Sequence, residues 1–191
     1  MNPAVSNLVI MLVMMQVSKR LDFEDPFILL CVRVLYVSCT VLTLLVYLYT
    51  RQLIIKKNDL TTLKFVEPAN TMAGETESKL NVTTVKDYDL KQIQSSIKGV
   101  FTGVAMMGFM HLYMKYANPL LMQSISPLKG AFEANLVQIH VFGKPASGDL
   151  KRPFKAAGGF MSMLGGAGDI KTDKASIEKA EVSGTGGVKE E

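Results

Sequence analysis

The sequence predicts a mainly α-helical membrane protein. We expect three transmembrane helices, a broken polar fourth membrane segment, a small cytosolic β element and a disordered C-terminal tail. Residues 1–18, 34–50 and 99–114 are apolar and contain no Lys, Arg, Asp or Glu. Mean hydropathy is positive, at +0.22, although part of the chain is polar. At about 1.5 Å per residue, such stretches fall short of the roughly 30 Å hydrocarbon core, which suggests a locally thinned bilayer.

Residues 1–57 are expected to hold the first two membrane helices and a short lumenal turn. The first stretch has no basic segment before it and no small-residue cleavage site after it, so we interpret it as a retained span. Asp25 and Pro26 predict a helix start, since Asp caps free N–H groups and Pro tolerates the first helical position. We expect this helix to reach Lys57. Arg33 lies inside the span, where it either snorkels to the surface or lines a polar groove.

Residues 58–88 predict a soluble region with a polar loop between two short strands. The strands are expected at residues 61–67 and 80–85, because both are rich in Thr and Val. Residues 137–142 alternate apolar and polar side chains and predict a third strand that pairs with these two. If the three strands pair, the chain must cross the membrane again through residues 120–134.

Residues 89–134 are expected to form the third helix and the fourth membrane segment. An apolar stripe at helical spacing predicts one helix over about residues 89–116, capped by Asp87 or Asp89. Residues 120–134 are apolar but interrupted, and we expect either a broken segment shielded by protein or an amphipathic segment on the membrane surface. The interrupting residues are Pro127, Lys129 and Glu133.

Residues 135–155 combine the predicted third strand with a basic segment. This composition suits lipid head groups or ribosomal RNA, and a solvated tail is the alternative. Residues 156–191 are rich in Gly, Ser, Lys and Glu and are predicted to be disordered. The basic residues of the segment are Lys144, Lys151, Arg152 and Lys155.

The distribution of basic residues predicts the orientation. Lys and Arg are more numerous between residues 51 and 98 than on the opposite side, where Lys19, Arg20 and Lys115 lie. Because basic loops favour the cytosol, we expect the middle loop, the N-terminus and the C-terminal tail to be cytosolic. Lys19 and Arg20 argue for the reverse orientation. Asn81 begins an Asn-Val-Thr sequon that is glycosylated only in the lumen.

No catalytic motif, phosphate-binding loop or metal-ligand spacing occurs in the sequence, so we expect neither an enzyme nor a bound cofactor or metal. The methionines indicate a different role, because Met side chains adapt to varied apolar partners. Lipid contact and helix packing are one explanation for their clustering. A pliable groove for client transmembrane segments, with Arg33, Lys129 and Glu133 holding water in it, is the other. The clustered residues are Met11, Met14, Met15, Met106, Met107, Met110 and Met114.

Several unusual runs resemble the fungal phosphate-metabolism-protein eighty-eight family, whose members are also called SRP-independent targeting component three. The similarity covers about residues 1–155. It is carried by MNP at residues 1–3, MLVMMQ at 11–16, EDP at 24–26, KNDLTT at 57–62, VTTVKDYDL at 82–90, MMGFMHLY at 106–113, MQSISP at 122–127 and FGKPASGDLKRPFK at 142–155. The resemblance implies a multi-pass protein of the endoplasmic reticulum that acts in SRP-independent targeting with the Sec61 translocon. It carries over no catalytic residues.

We therefore expect a factor for SRP-independent targeting or insertion of membrane proteins. Its expected partners are the Sec61 translocon, other SRP-independent targeting components, client transmembrane segments, lipids and the ribosome. A structural translocon subunit without client contact is one alternative. An inorganic phosphate transporter is another, although only one Arg lies within a predicted span and no paired repeats occur.

Overall fold

The computed structural model describes residues 3–67, 79–154 and 177, and these residues form a mainly helical fold with a two-stranded sheet. The mainly α fold class with a small β element is thereby confirmed. The predicted polar loop at residues 68–78, Lys155 and nearly all of the predicted disordered tail lie outside the described residues. The elements are α1 (Pro3–Arg20), α2 (Pro26–Lys57), β1 (Thr62–Glu67), β2 (Lys79–Thr84), α3 (Val85–Gly108), a π-helical turn (Phe109–Tyr113), α4 (Asn118–Glu133), α5 (Asn135–His140) and a 3-10 turn (Gly148–Leu150).

The chain divides into two compact units. One unit, here called the helical unit, comprises residues 1–53 and 91–143. The other, here called the sheet unit, comprises residues 54–90 and 144–191.

Helix α2 has the bounds that the sequence predicts. The carboxylate of Asp25 accepts a hydrogen bond of 2.8 Å from the N–H of Phe27, which caps the first turn as expected. The hydroxyls along the helix donate to the carbonyl four residues earlier, so they need no outside partner. These hydroxyls belong to Thr40, Thr43 and Thr50.

Within the described residues, α2 is the one helix that is long and apolar enough to cross a membrane. Only 17% of the most apolar 18-residue stretch of α2 is buried, so most of the apolar surface of this helix is exposed. Apolar surface of this extent near the N-terminus indicates membrane association. The three transmembrane helices that the sequence predicts are not confirmed.

Four helices contribute to the core of the helical unit. Met14 of α1, Val32 of α2, Met107 of α3, and Leu120 and Leu121 of α4 form one buried cluster. Helices α1 and α4 run antiparallel, because hydrogen bonds join them at both ends. The Ser18 hydroxyl donates to the Asn118 amide oxygen (3.1 Å), and Lys129 Nζ donates to the Asn7 amide oxygen (2.6 Å).

The break predicted in the fourth membrane segment is wrong, since α4 is continuous from Asn118 to Glu133 with Pro127 inside it. An internal proline removes one backbone donor and kinks a helix, at a cost of about 3 kcal/mol. Buried side chains on both sides of the proline offset this cost, because Leu121 precedes it and Ala131 follows it in the core. The segment is therefore an intact, proline-containing helix.

The third strand predicted at residues 137–142 is also wrong, because residues 135–140 form helix α5. A window of six residues fits an alternating pattern and a helical pattern equally well. Burial follows the helical pattern, since Leu136 is buried and Val141 is exposed. Without a third strand, strand pairing no longer supports a membrane crossing between residues 120 and 134.

The sheet unit contains an antiparallel hairpin, and its register runs from Thr62 opposite Thr84 to Glu67 opposite Lys79. Both predicted strands are confirmed to within one residue at each end. Helix α3 begins earlier than expected, and its cap is Thr84 rather than Asp87 or Asp89. The Thr84 hydroxyl oxygen accepts from the Asp87 N–H at 3.1 Å, which caps the first turn, and its O–H donates to the Asp87 carboxylate.

The turn into the hairpin is held by Asp59. Its carboxylate accepts hydrogen bonds from the N–H (3.1 Å) and the hydroxyl (2.6 Å) of Thr61. These hydrogen bonds hold the pKa of Asp59 below its usual range, because they favour the ionised carboxylate. The carbonyl of Asp59 also accepts from the N–H of Lys86 at 2.9 Å, which ties the start of the hairpin to the start of α3.

Candidate functional site

One polar group of the helical unit lies where α1 packs against α4. Lys129 Nζ is 2.6 Å from the Asn7 amide oxygen and 2.6 Å from a carboxylate oxygen of Glu133. The Lys129 side chain is only 18% exposed. A partly buried ammonium is stabilised by such partners, because removing an unpaired charge from water is costly. We call Asn7, Lys129 and Glu133 the polar triad.

A second polar group joins α2 to the π-helical turn. Arg33 Nε–H donates to His111 Nε2 at 3.0 Å. Because Nε2 accepts this bond, the ring proton lies on Nδ1, which donates to the carbonyl of Tyr116 at 3.1 Å. The sequence left open whether Arg33 snorkels to the surface or lines a polar groove, and it did not indicate His111 as its partner. A π-helical turn is uncommon and is often found at functional sites.

The two polar groups lie at opposite ends of α4. Arg33 and His111 line a cleft that also includes Asn118, the first residue of α4. Lys129 follows Asn118 by eleven residues on the same helix. At 1.5 Å per residue, this separation is about 16 Å. The structure therefore does not bring Arg33 together with Lys129 and Glu133, as a single groove would require.

The predicted methionine stripes divide between core and surface. Met14 and Met107 are buried in the same cluster, at 8% and 2% exposure. Met110 is half-buried. The exposed members are Met11, Met15, Met106 and Met114. Periodicity alone predicts which methionines share a helix face, but only the packing of α4 against the other helices decides which face is covered.

Met11 and Met15 follow Asn7 at intervals of four residues, so the three side chains lie along one side of α1. Asn7 is bonded to Lys129, so this side of α1 is adjacent to the polar triad. We call Asn7, Met11 and Met15 the methionine face. It places an exposed, adaptable apolar surface beside the neutralised charges of Lys129 and Glu133.

In the sheet unit, Arg152 forms a buried ion pair with Asp89. Two guanidinium nitrogens, Nε and Nη2, each donate to one carboxylate oxygen at 2.6 Å. Asp89 is 1% exposed. Two parallel charge-assisted hydrogen bonds of this kind are among the strongest side-chain contacts. Arg152 is thus held inside the sheet unit, so its predicted contact with head groups or ribosomal RNA is corrected.

Aromatic packing surrounds this ion pair. Tyr88 packs edge-on against Phe65 of β1, with ring centroids 5.6 Å apart, and contacts Phe154 at 5.7 Å. The N–H of Phe154 donates to the Tyr88 hydroxyl at 2.8 Å. Residues 151–154 are therefore anchored to the hairpin and to the first turns of α3. The other basic residues predicted here, Lys144 and Lys151, are exposed.

Comparison with known proteins identifies the family of the chain. The family described as Phosphate transport (Pho88) matches residues 1–188. The Saccharomyces cerevisiae protein named SRP-independent targeting protein 3 is 61% identical over 193 residues, which cover 100% of both chains. A Schizosaccharomyces pombe protein named SRP-independent targeting protein 3 homolog is 44% identical over 182 residues, 95% of this chain and 92% of its own. No solved structure matches. The resemblance found in the sequence is confirmed, and the chain belongs to the Pho88 family.

Proposed function

We propose that this protein is a non-enzymatic factor for SRP-independent targeting and insertion of membrane proteins. It works in the endoplasmic reticulum membrane, as a multi-pass protein, beside the Sec61 translocon and other SRP-independent targeting components. The observation that carries the targeting role is the 61% identity, over full length, with a protein named for SRP-independent targeting. The resemblance in the sequence supports the location and the partners.

The methionine face is the surface proposed to receive a client helix. Met11 is 49% exposed, and Met side chains adapt to apolar partners of different shapes. A client helix that leaves its aqueous path exposes both apolar side chains and flanking polar groups. The methionine face offers contact to the apolar side chains of the client, and the polar triad offers hydrogen bonds to its polar groups.

The polar triad explains why such a surface would lower the cost of insertion. A polar group that enters hydrocarbon without a partner costs several kcal/mol. Lys129 and Glu133 neutralise one another at 2.6 Å, so the triad adds donors and acceptors without adding net charge. A polar residue of the client can exchange hydrogen bonds with this triad while its apolar neighbours move into lipid.

An insertion assay tests this proposal. Microsomes that lack the protein should insert an SRP-independent client poorly, and the wild-type chain should restore insertion. A variant with Lys129→Leu and Glu133→Leu should remain folded, because replacing a whole ion pair with apolar residues is often neutral for stability. It should nevertheless fail to restore insertion. Arg51→Gln, at the other end of α2 from Arg33, is the matched control and should restore it. Full restoration by the double variant would contradict a role for the triad.

The description of the family as phosphate transport favours a second candidate function, the transport of inorganic phosphate. A transporter for anions needs cations along its whole path. In the described part of the helical unit, two basic residues, Arg33 and Lys115, lie near the Asn118 end of α4, and the triad at the other end is internally neutral. Phosphate uptake by proteoliposomes that contain the purified chain would support transport, and its absence beside working client insertion would support targeting.

A further inference from the structure

An open cleft lies at the Asn118 end of the helical unit and has no role in the proposed client surface. Its volume is about 540 Å³, within the range of pockets that hold small ligands. Arg33 and His111 line it together with Lys115 from the loop before α4. One acidic residue, Glu24, lines the same cleft. We call this the basic cleft.

Arg33 is a permanent cation that lacks an anionic partner in the described parts of the chain. Its Nε–H is directed to His111, and no carboxylate among residues 5–66 and 80–154 forms an ion pair with it. The bond to His111 fixes the guanidinium plane, because the imidazole is itself held by the carbonyl of Tyr116. The terminal guanidinium nitrogens remain available, and their fork geometry matches two oxygens of a phosphate group.

Lys115 adds a second cation in an unfavourable backbone conformation. Its φ is +58°, in the left-handed region, where a side chain other than that of Gly, Asn or Asp is uncommon. Strained residues of this kind persist where the surrounding structure holds them, often at ligand sites. A glycine here would relieve the strain.

The cleft also has features that suit a cationic group next to the phosphate. Glu24 supplies a carboxylate, and Phe23 and Tyr116 supply aromatic rings. Ammonium groups bind to carboxylates and to aromatic faces. A ligand with one phosphodiester and one ammonium would satisfy both halves of the cleft.

We propose that the basic cleft binds the head group of a zwitterionic phospholipid, with Arg33 and Lys115 on the phosphate and Glu24 on the ammonium. The position of Arg33, eighth in the apolar helix α2, places the cleft about 10 Å from the start of that helix. Binding there would fix a lipid against α2 and the start of α4. It does not involve the polar triad, which lies at the other end of α4.

Thermal unfolding of the purified full-length chain in detergent tests this assignment. Dihexanoyl phosphatidylcholine should raise the Tm, and dihexanoylglycerol, which has no head group, should not. Arg33→Gln should weaken the affinity by about tenfold or more, because a hydrogen bond to a charged group is lost. Arg51→Gln is the matched control on the same helix and should respond like wild type. An equal shift in Arg33→Gln, or with dihexanoylglycerol, would overturn the proposal.

Two further variants keep the proposal testable if Arg33→Gln does not fold. Lys115→Gly should have an unliganded Tm equal to or above that of wild type, because the strain is relieved, yet a smaller shift with the lipid. Glu24→Gln should reduce the shift with phosphatidylcholine but not the shift with dihexanoyl phosphatidylglycerol. An unchanged response of Lys115→Gly would overturn its role as a phosphate ligand. A full shift with inorganic phosphate alone would overturn the assignment to a lipid.

Discussion

Removal of Arg152 should detach the segment at residues 151–154 from the sheet unit. Arg152→Met leaves the Asp89 carboxylate, 1% exposed, without its bidentate partner. Loss of one member of a buried ion pair costs about 3–5 kcal/mol. If the free energy of local opening of the segment decreases by this amount, amide exchange in the segment should accelerate by about a hundredfold or more. The amide of Phe154 is the direct reporter, because it donates to the Tyr88 hydroxyl.

The measurement is hydrogen–deuterium exchange of the full-length chain in detergent, read on peptides that cover residues 144–154. Lys151→Met is the matched control, since this exposed neighbour should change stability by less than about 0.5 kcal/mol. The double variant Asp89→Leu, Arg152→Met should recover most of the protection, because no charge is left buried. Equal exchange in Arg152→Met and Lys151→Met would refute the view that this ion pair anchors the segment.

Three other predictions concern orientation, packing and the remaining basic residues. Asn81 should stay unmodified in native membranes, and an endoglycosidase-sensitive mobility shift that Asn81→Gln abolishes would reverse the proposed orientation. Met107→Ala should destabilise the protein by about 2–5 kcal/mol, because Met107 is 2% exposed, while Met106→Ala, at 68% exposure, should cost far less; equal changes in Tm would contradict the packing. Lys144→Glu with Lys151→Glu should reduce co-sedimentation with ribosome–translocon complexes at low salt, and unchanged recovery across a salt series would indicate a solvated segment.

Local signals in the sequence predicted the long helix and the hairpin. Asp25 and Pro26 mark the start of α2, and the structure shows the cap that they imply. The enrichment in Thr and Val predicts both strands, and the structure shows that the two strands pair with each other. These features depend on neighbours a few residues away, so a single sequence contains the information.

Patterns shorter than two helical turns do not predict the secondary structure reliably in this chain. The alternation at residues 137–142 spans six residues, too few to separate a period of 2 from one of 3.6. Pro127 predicts a break, yet α4 continues through it because buried side chains on both sides of the proline pack in the core. Both errors arise where packing with distant residues outweighs the local preference.

Pairings across long sequence separations were not predictable. Arg152 and Asp89 are 63 residues apart, and Arg33 and His111 are 78 apart. The only available signal was a lone charge inside an apolar pattern, at Arg33, whereas Asp89 lies among other charged residues. Likewise, helical spacing placed the methionines in stripes, but the arrangement of the four helices buried Met14 and exposed Met11.

Site-specific photo-crosslinking to a stalled, SRP-independent nascent chain is the most direct test of the proposed client surface. A photoreactive residue at position 11 replaces Met11 on the methionine face, and one at position 13 replaces Val13, which is 54% exposed on the opposite side of α1. Both positions are exposed and apolar, so they differ chiefly in direction. We expect crosslinks to the client transmembrane segment from position 11 and few from position 13. Equal yields from both positions, or none from position 11, would contradict a client surface along the methionine face.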